Sequence, residues 1–177
     1  MTTADAEAVI REMPNRVRVG GVMEWWLRGP DGRLKSHDVF PNGAVYVGLN
    51  YILETMFRSG TQLTAWYVGL IDNSGFSAVS ANDTMSSHAG WTEFTSYSGS
   101  NRPAWGPAAA ASGVMANTTL FTYTLSASGT LAGGFVTSNQ PKSGTAGTLW
   151  ATALQTRSVT NGDTLSGSYT ITLTPSS

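Results

Sequence analysis

Asp83, His88 and Glu93 fall within the stretch NDTMSSHAGWTEF. Two carboxylates and an imidazole at short range could ligate a metal ion. With Ser86 or Ser87 as nucleophile they could also form a hydrolytic relay, in which His88 takes the proton and Asp83 orients the ring. Two features weigh against both chemistries. The chain has 2 histidines, and the other, His37, sits in a different segment. Spacings of five residues place the three side chains on one face of neither a helix nor a strand. The stretch therefore reads as an ordered loop in which Asp83 and Thr84 cap a turn and Glu93 accepts backbone hydrogen bonds.

Other signatures of chemistry are missing from the sequence. It contains no phosphate-binding G-x-x-x-x-G-K-[ST], no G-x-G-x-x-G and no G-x-S-x-G. GTAGT at Gly144–Thr148 reads as a glycine turn. The absence of Cys excludes disulfides, thiolate catalysis and Cys-ligated zinc or iron–sulfur centres. The expectation is a protein that is not an enzyme and holds no cofactor.

The six tryptophans offer a different chemistry, because an exposed indole can stack on a sugar ring. Trp25 and Trp26 are adjacent in a predicted strand, so one faces inward and the other outward. Trp66 and Trp150 sit in apolar runs and are assigned to the core. Trp26 (or Trp25), Trp91 and Trp105 remain as candidate ligand contacts.

Charge is scarce: charged residues are 12% of the chain, against 41% hydrophobic, with a net charge of -1. No global field favours nucleic acid or anionic lipid. Fourteen of the 21 charges lie in residues 1–58, so the remainder of the surface consists mainly of hydroxyls and glycine. Such a surface suits contact with other proteins or a harsh exterior. The N-terminus carries acidic residues where a secretory signal needs a basic region and an apolar run, and no long apolar stretch occurs anywhere. This predicts synthesis in the cytoplasm without membrane anchoring.

The elements that must position these residues are mostly strands. Ala6, Val9, Ile10 and Met13 recur at helical spacing, with Thr3 as N-cap and Pro14 as stop, which predicts a short helix or arm within residues 1–14. Val9, Ile10 and Met13 then form an apolar stripe that must dock on something, since so short a helix is marginal alone. Residues 16–39 read as a β-hairpin turning at GPDG, with its basic residues on a solvated face. A second helix is predicted at 44–58, with Leu49, Ile52, Leu53, Met56 and Phe57 in one stripe laid across a sheet and Gly60 as its exit. AWYVGLI, LFTYTLS and SYTITLT read as strands, and Asn161-Gly162 as a turn. Residues 102–113 read as a surface loop. Together they predict a mainly β domain over 15–177, a β-sandwich or jelly roll with one packed helix.

At the level of whole motifs, NGAVYVGLNYILETMF, the segment from Trp66 to Trp105, GTLAGGF and the closing run SGTAGTLWATALQTRSVTNGDTLSGSYTITL resemble small virion proteins of tailed double-stranded DNA bacteriophages. The resemblance covers about residues 40–174 and is most specific between Trp66 and Trp105. It implies a capsid cement (decoration) protein on the exterior of the virion head. The implied partners are the major capsid protein and other copies of the chain, as a homotrimer or homodimer, with neither nucleic acid nor membrane. The alternative in the same particle is a tail or fibre protein that recognises a host glycan through Trp26, Trp91 or Trp105.

Overall fold

The computed structural model of the protein describes residues 17–175. The expected N-terminal helix, with Val9, Ile10 and Met13, lies outside the described residues.

Strands β1 (Val17–Arg28) and β2 (Leu34–Ala44) form the predicted hairpin, longer at its second strand than expected. Its turn is closed by the Gly29 N–H donating to the Arg33 carbonyl. Gly32 stands at φ 78°, a left-handed conformation that a Cβ disfavours. There follow α1 (Tyr46–Phe57), β3 (Trp66–Asp72), β4 (Thr92–Glu93), β5 (Ala104–Trp105), β6 (Val114–Ala116), β7 (Phe121–Thr124), β8 (Gly129–Thr137), β9 (Leu149–Val159) and β10 (Thr164–Pro175).

The strands make one antiparallel sheet in the order β4-β3-β8-β9-β2-β1-β10-β6, with β5 added to β3 and β7 to β10. Strand β2 belongs to two halves of it. Residues up to Pro41 pair with β1, whereas Asn42–Ala44 pair with β9. The sheet thereby folds over itself into a sandwich-like, mainly β architecture with a single helix among the described residues. Met23, Trp25, Tyr123, Leu165 and Tyr169 from one half meet Val68, Leu70, Leu131, Val136 and Ala151 from the other in one buried cluster. Each of the Val, Leu and Met side chains among them contributes roughly 1.5–3 kcal/mol on burial.

Some of the polar atoms that enter this interior are paired across it, whereas the Trp25 indole N–H and the Tyr97 hydroxyl have no hydrogen-bond partner among the described residues. Tyr123 OH donates to the Val68 carbonyl at 2.7 Å, and the Trp150 indole N–H donates to Tyr169 OH at 2.7 Å. Burial pushes both phenols far above the ordinary tyrosine range, although the Trp150 contact works in the opposite direction on Tyr169. Both tyrosines are thus fixed neutral hydrogen-bonding pillars.

The predicted alternation holds from Phe121 to Ser126 but fades in the last strand, where Ile171 is half-buried and Leu173 exposed. Phe121, Tyr123 and Leu125 are buried while Thr122, Thr124 and Ser126 are exposed, and Gly162 takes the positive φ of the Asn161-Gly162 turn. Strand β8 is buried on both faces, because residues 73–91 cover its outer side with Phe76, Val79, Met85 and Trp91 packed around Phe135.

Helix α1 departs from expectation. Its predicted stripe is only partly laid down: Ile52 packs against the core and Leu49 is half-buried, while Leu53, Met56 and Phe57 are 55%, 67% and 74% exposed. The helix seats most closely at Gly48, where a Cβ would stand 2.7 Å from the Trp150 carbonyl oxygen. This close approach of two backbones turns the side with Gly48 and Ile52 inward and the rest of the stripe outward. The exit differs too. The Gly60 N–H does close on the Glu54 carbonyl, yet the left-handed residue is Ser59.

Candidate functional site

The three residues that might have formed a catalytic or metal site part company in space. Asp83 is buried, and its Oδ2 accepts from the Ser80 backbone N–H at 2.8 Å and from the Trp91 indole N–H at 2.9 Å. His88 lies flat on the Trp91 ring, 3.9 Å between centroids, with Nδ1 2.9 Å from the Trp91 carbonyl oxygen. The imidazole thus bonds to backbone and not to a serine, while the Ser86 hydroxyl lies 3.2 Å from that of Thr84. Thr84 Oγ1 accepts from the Ser87 N–H, as expected of a turn cap.

Glu93 points elsewhere, into a buried ion pair with Arg102. The guanidinium donates to Glu93 from Nε at 2.8 Å and from Nη2 at 2.9 Å. Its other N–H groups reach the Asn139 carbonyl, Asn139 Oδ1 and the Gly144 carbonyl. Glu93 also accepts the Ser143 N–H at 2.6 Å. The guanidinium further stands 5.2 Å from the Phe135 ring centre. His88 and Trp91 of the one cluster and Glu93 and Arg102 of the other line a common hollow of about 250 Å³, in which the carboxylate and the guanidinium are already matched to each other. Among the described residues no group of three or more His, Cys, Asp or Glu side chains is arranged to hold a metal.

Sequence reasoning placed Glu93 in a backbone-bonded loop but missed Arg102. The available signal was scarcity, since Arg102 is one of seven charges in the last 119 residues.

The expectation of ligand-facing indoles needs correction. Trp91 is 2% and Trp105 5% exposed. Trp91 is enclosed because Asp83 and His88 occupy its polar edge and one face. Trp105 is drawn inward by β5, where its N–H donates to the Tyr169 carbonyl at 2.9 Å. Trp26 is half-buried and stacked on His37 at 5.1 Å, and His37 in turn bonds Glu24 at 2.6 Å.

A larger concavity lies beside α1. It is an apolar groove of about 790 Å³ between α1, the segment around Leu63 and the last turns of β10. Ile52, Met56, Trp66, Trp105, Val114 and Leu173 line it. The groove exists because β10's inward face, buried at Tyr169, continues outward through half-buried Ile171 to Leu173, where the opposing half of the sheet no longer covers it. Met56 belongs both to this wall and to the exposed ridge of Leu53 and Phe57, so the apolar surface runs unbroken over the helix edge. No helix among the described residues is long and apolar enough to cross a membrane.

No family model, no curated protein and no solved structure matches the chain.

Proposed function

We propose that this is a structural virion protein of a tailed bacteriophage, binding the outer capsid surface as a cement that bridges and stabilises capsid subunits, with copies associating as a trimer or dimer. The observation that carries this reading is the exposed ridge of Leu53, Met56 and Phe57 on α1, continuous with the apolar groove. Contiguous apolar surface of this kind marks a protein contact. The sandwich behind the ridge is held by buried cross-layer hydrogen bonds, so the face is presented by a rigid support. Symmetry on a head multiplies a modest contact into a strong one. The motif resemblance over residues 40–174 supplies the particle.

A glycan-reading role on a tail or fibre ranks second. Of the three tryptophans it called on, Trp26 alone keeps part of its surface open.

Co-sedimentation of the purified protein with heads of the phage that carries its gene tests the proposal. Saturable binding to expanded heads, lost in Phe57→Asp, is the expected result. Failure to bind heads at any stage of maturation would sink it.

A further inference from the structure

The groove beside α1 has walls from the helix and from strands of both halves of the sheet, so it is the open end of the space between the layers. None of the residues lining it is charged, although Glu54 and Arg58 form an ion pair on the same helix. Its tryptophans turn hydrocarbon toward it. The Trp105 N–H is held by the Tyr169 carbonyl and the Trp150 N–H by the Tyr169 hydroxyl, both within the interior. Polar side chains gather at one edge, where Tyr51 meets the segment Gln62–Thr64. There the Tyr51 hydroxyl accepts the Leu63 N–H at 2.6 Å and has no acceptor for its own proton among the described residues.

We propose that this groove is a binding site for an uncharged amphiphile of small-molecule size, a hydrocarbon chain with one neutral oxygen head, whose chain lies along Trp66, Trp105 and Leu173 and whose head accepts the Tyr51 proton. Its volume of about 790 Å³ falls among small-molecule sites, which run roughly 300–1,000 Å³ and combine apolar walls with a few placed polar groups. Met56 and Met115, unbranched and adaptable, suit walls that close on a flexible body. Charge selects the head. A carboxylate or an ammonium drawn into the groove would lose water and meet no opposite charge on the walls, whereas a hydroxyl or carbonyl oxygen needs only the Tyr51 proton. An occupant also takes Val114 and Leu173, now 41% and 38% exposed, out of water. It leaves Leu53 and Phe57 on the outer ridge free, so the site is a different surface from the contact proposed for the capsid and does not depend on that role.

The full chain is titrated with N-phenylnaphthylamine, an uncharged dye that brightens in apolar surroundings, and energy transfer from tryptophan to the dye is followed. The expected result is saturable binding of one dye per chain, displaced by decanol and at least about tenfold less effectively by decanoate or decylammonium. Val114→Glu puts a carboxylate on the wall and Ala110→Trp fills the space; each should weaken dye binding at least about tenfold, while Phe57→Asp on the ridge leaves it unchanged. Tyr51→Phe should weaken displacement by decanol about two- to tenfold without altering affinity for the dye, a split that a merely structural Tyr51 would not produce. Urea midpoints identify any variant that fails to fold, and the other groove variant then decides. Absence of saturable binding would overturn the site, as would binding that survives both groove variants or is lost in Phe57→Asp. Equal displacement by the three heads, or unchanged decanol binding in Tyr51→Phe, would overturn the neutral-head assignment. Dye affinity that falls as protein concentration rises, with dimers in light scattering, would give the groove to a second copy and overturn the small-molecule occupant.

Discussion

The Trp91 indole N–H rests on Asp83 Oδ2 at 2.9 Å while His88 covers the same ring at 3.9 Å. Residues that look catalytic in sequence are thereby consumed in pinning one tryptophan over Phe135. Asp83→Ala strands two donors, the Trp91 indole and the Ser80 amide. It should lower unfolding stability by about 1–3 kcal/mol. Urea denaturation followed by tryptophan fluorescence measures this, and an unchanged midpoint would contradict the pinning role.

Removing one partner of the Arg102–Glu93 pair leaves the other buried and unmatched. Arg102→Met is expected to cost about 3–5 kcal/mol, whereas Arg102→Met combined with Glu93→Leu should recover a substantial part of that loss. Equal destabilisation in the single and double variants would show that the contacts to Asn139 and Gly144 dominate instead. Chemical denaturation of the three proteins decides.

Two close approaches make glycine obligatory. A Cβ on Gly69 would sit 2.1 Å from Phe135 Cζ, and one on Gly48 would meet the Trp150 backbone. Gly69→Ala should cost about 1–3 kcal/mol, partly relieved by Phe135→Leu, because the obstacle there is a side chain. Gly48→Ala has no such relief, since a backbone carbonyl cannot be trimmed. Thermal unfolding of Gly69→Ala with and without Phe135→Leu tests the distinction.

Asp163 provides an acid-sensitive element. Burial alone would push its carboxyl up, but the Lys35 ammonium at 2.7 Å and the Thr160 amide and hydroxyl outweigh burial and hold it below the usual range. A depressed carboxyl contributes its stability in full above the ordinary value of about 3.9, and that contribution is lost as pH falls through the folded value. Lys35→Met should therefore destabilise the protein at neutral pH and converge on the parent once the pH has fallen through the depressed folded value. Urea midpoints across this range would show the convergence; a constant difference would refute it.

The ridge on α1 makes a further prediction. Leu53→Asp and Phe57→Asp should leave the unfolding midpoint within about 0.5 kcal/mol of the parent, as surface changes do, while reducing self-association or head binding. Light scattering and co-sedimentation report the two effects. A large fall in stability would mean that the ridge is packed in the isolated protein.

Period and turn chemistry made much of the fold legible. The alternation in β7, the Asn161-Gly162 turn and the hairpin around Gly32 are local patterns, and local patterns survive without knowledge of partners. The face of α1 was legible only in part, because the helix turns Gly48 and Ile52 inward and leaves Leu53, Met56 and Phe57 of the same stripe outside. Nor was Arg102, whose acceptors lie 9, 37 and 42 residues away. Trp105 sits in a Pro- and Ala-rich stretch that reads as exposed loop, yet its indole is fixed by a carbonyl 64 residues downstream. Long-range pairing of single side chains leaves no periodic trace.

Strand β10 lies between β1 on one side and β6 and β7 on the other, so its three neighbours precede it in the chain and must await it. A nascent polypeptide halted before residue 164 would present β1 as a bare edge, the kind of template on which unrelated strands add. Closure of this half of the sheet thus requires residues 164–175, and a chain lacking them is expected to be a sticky remnant instead of a smaller working version.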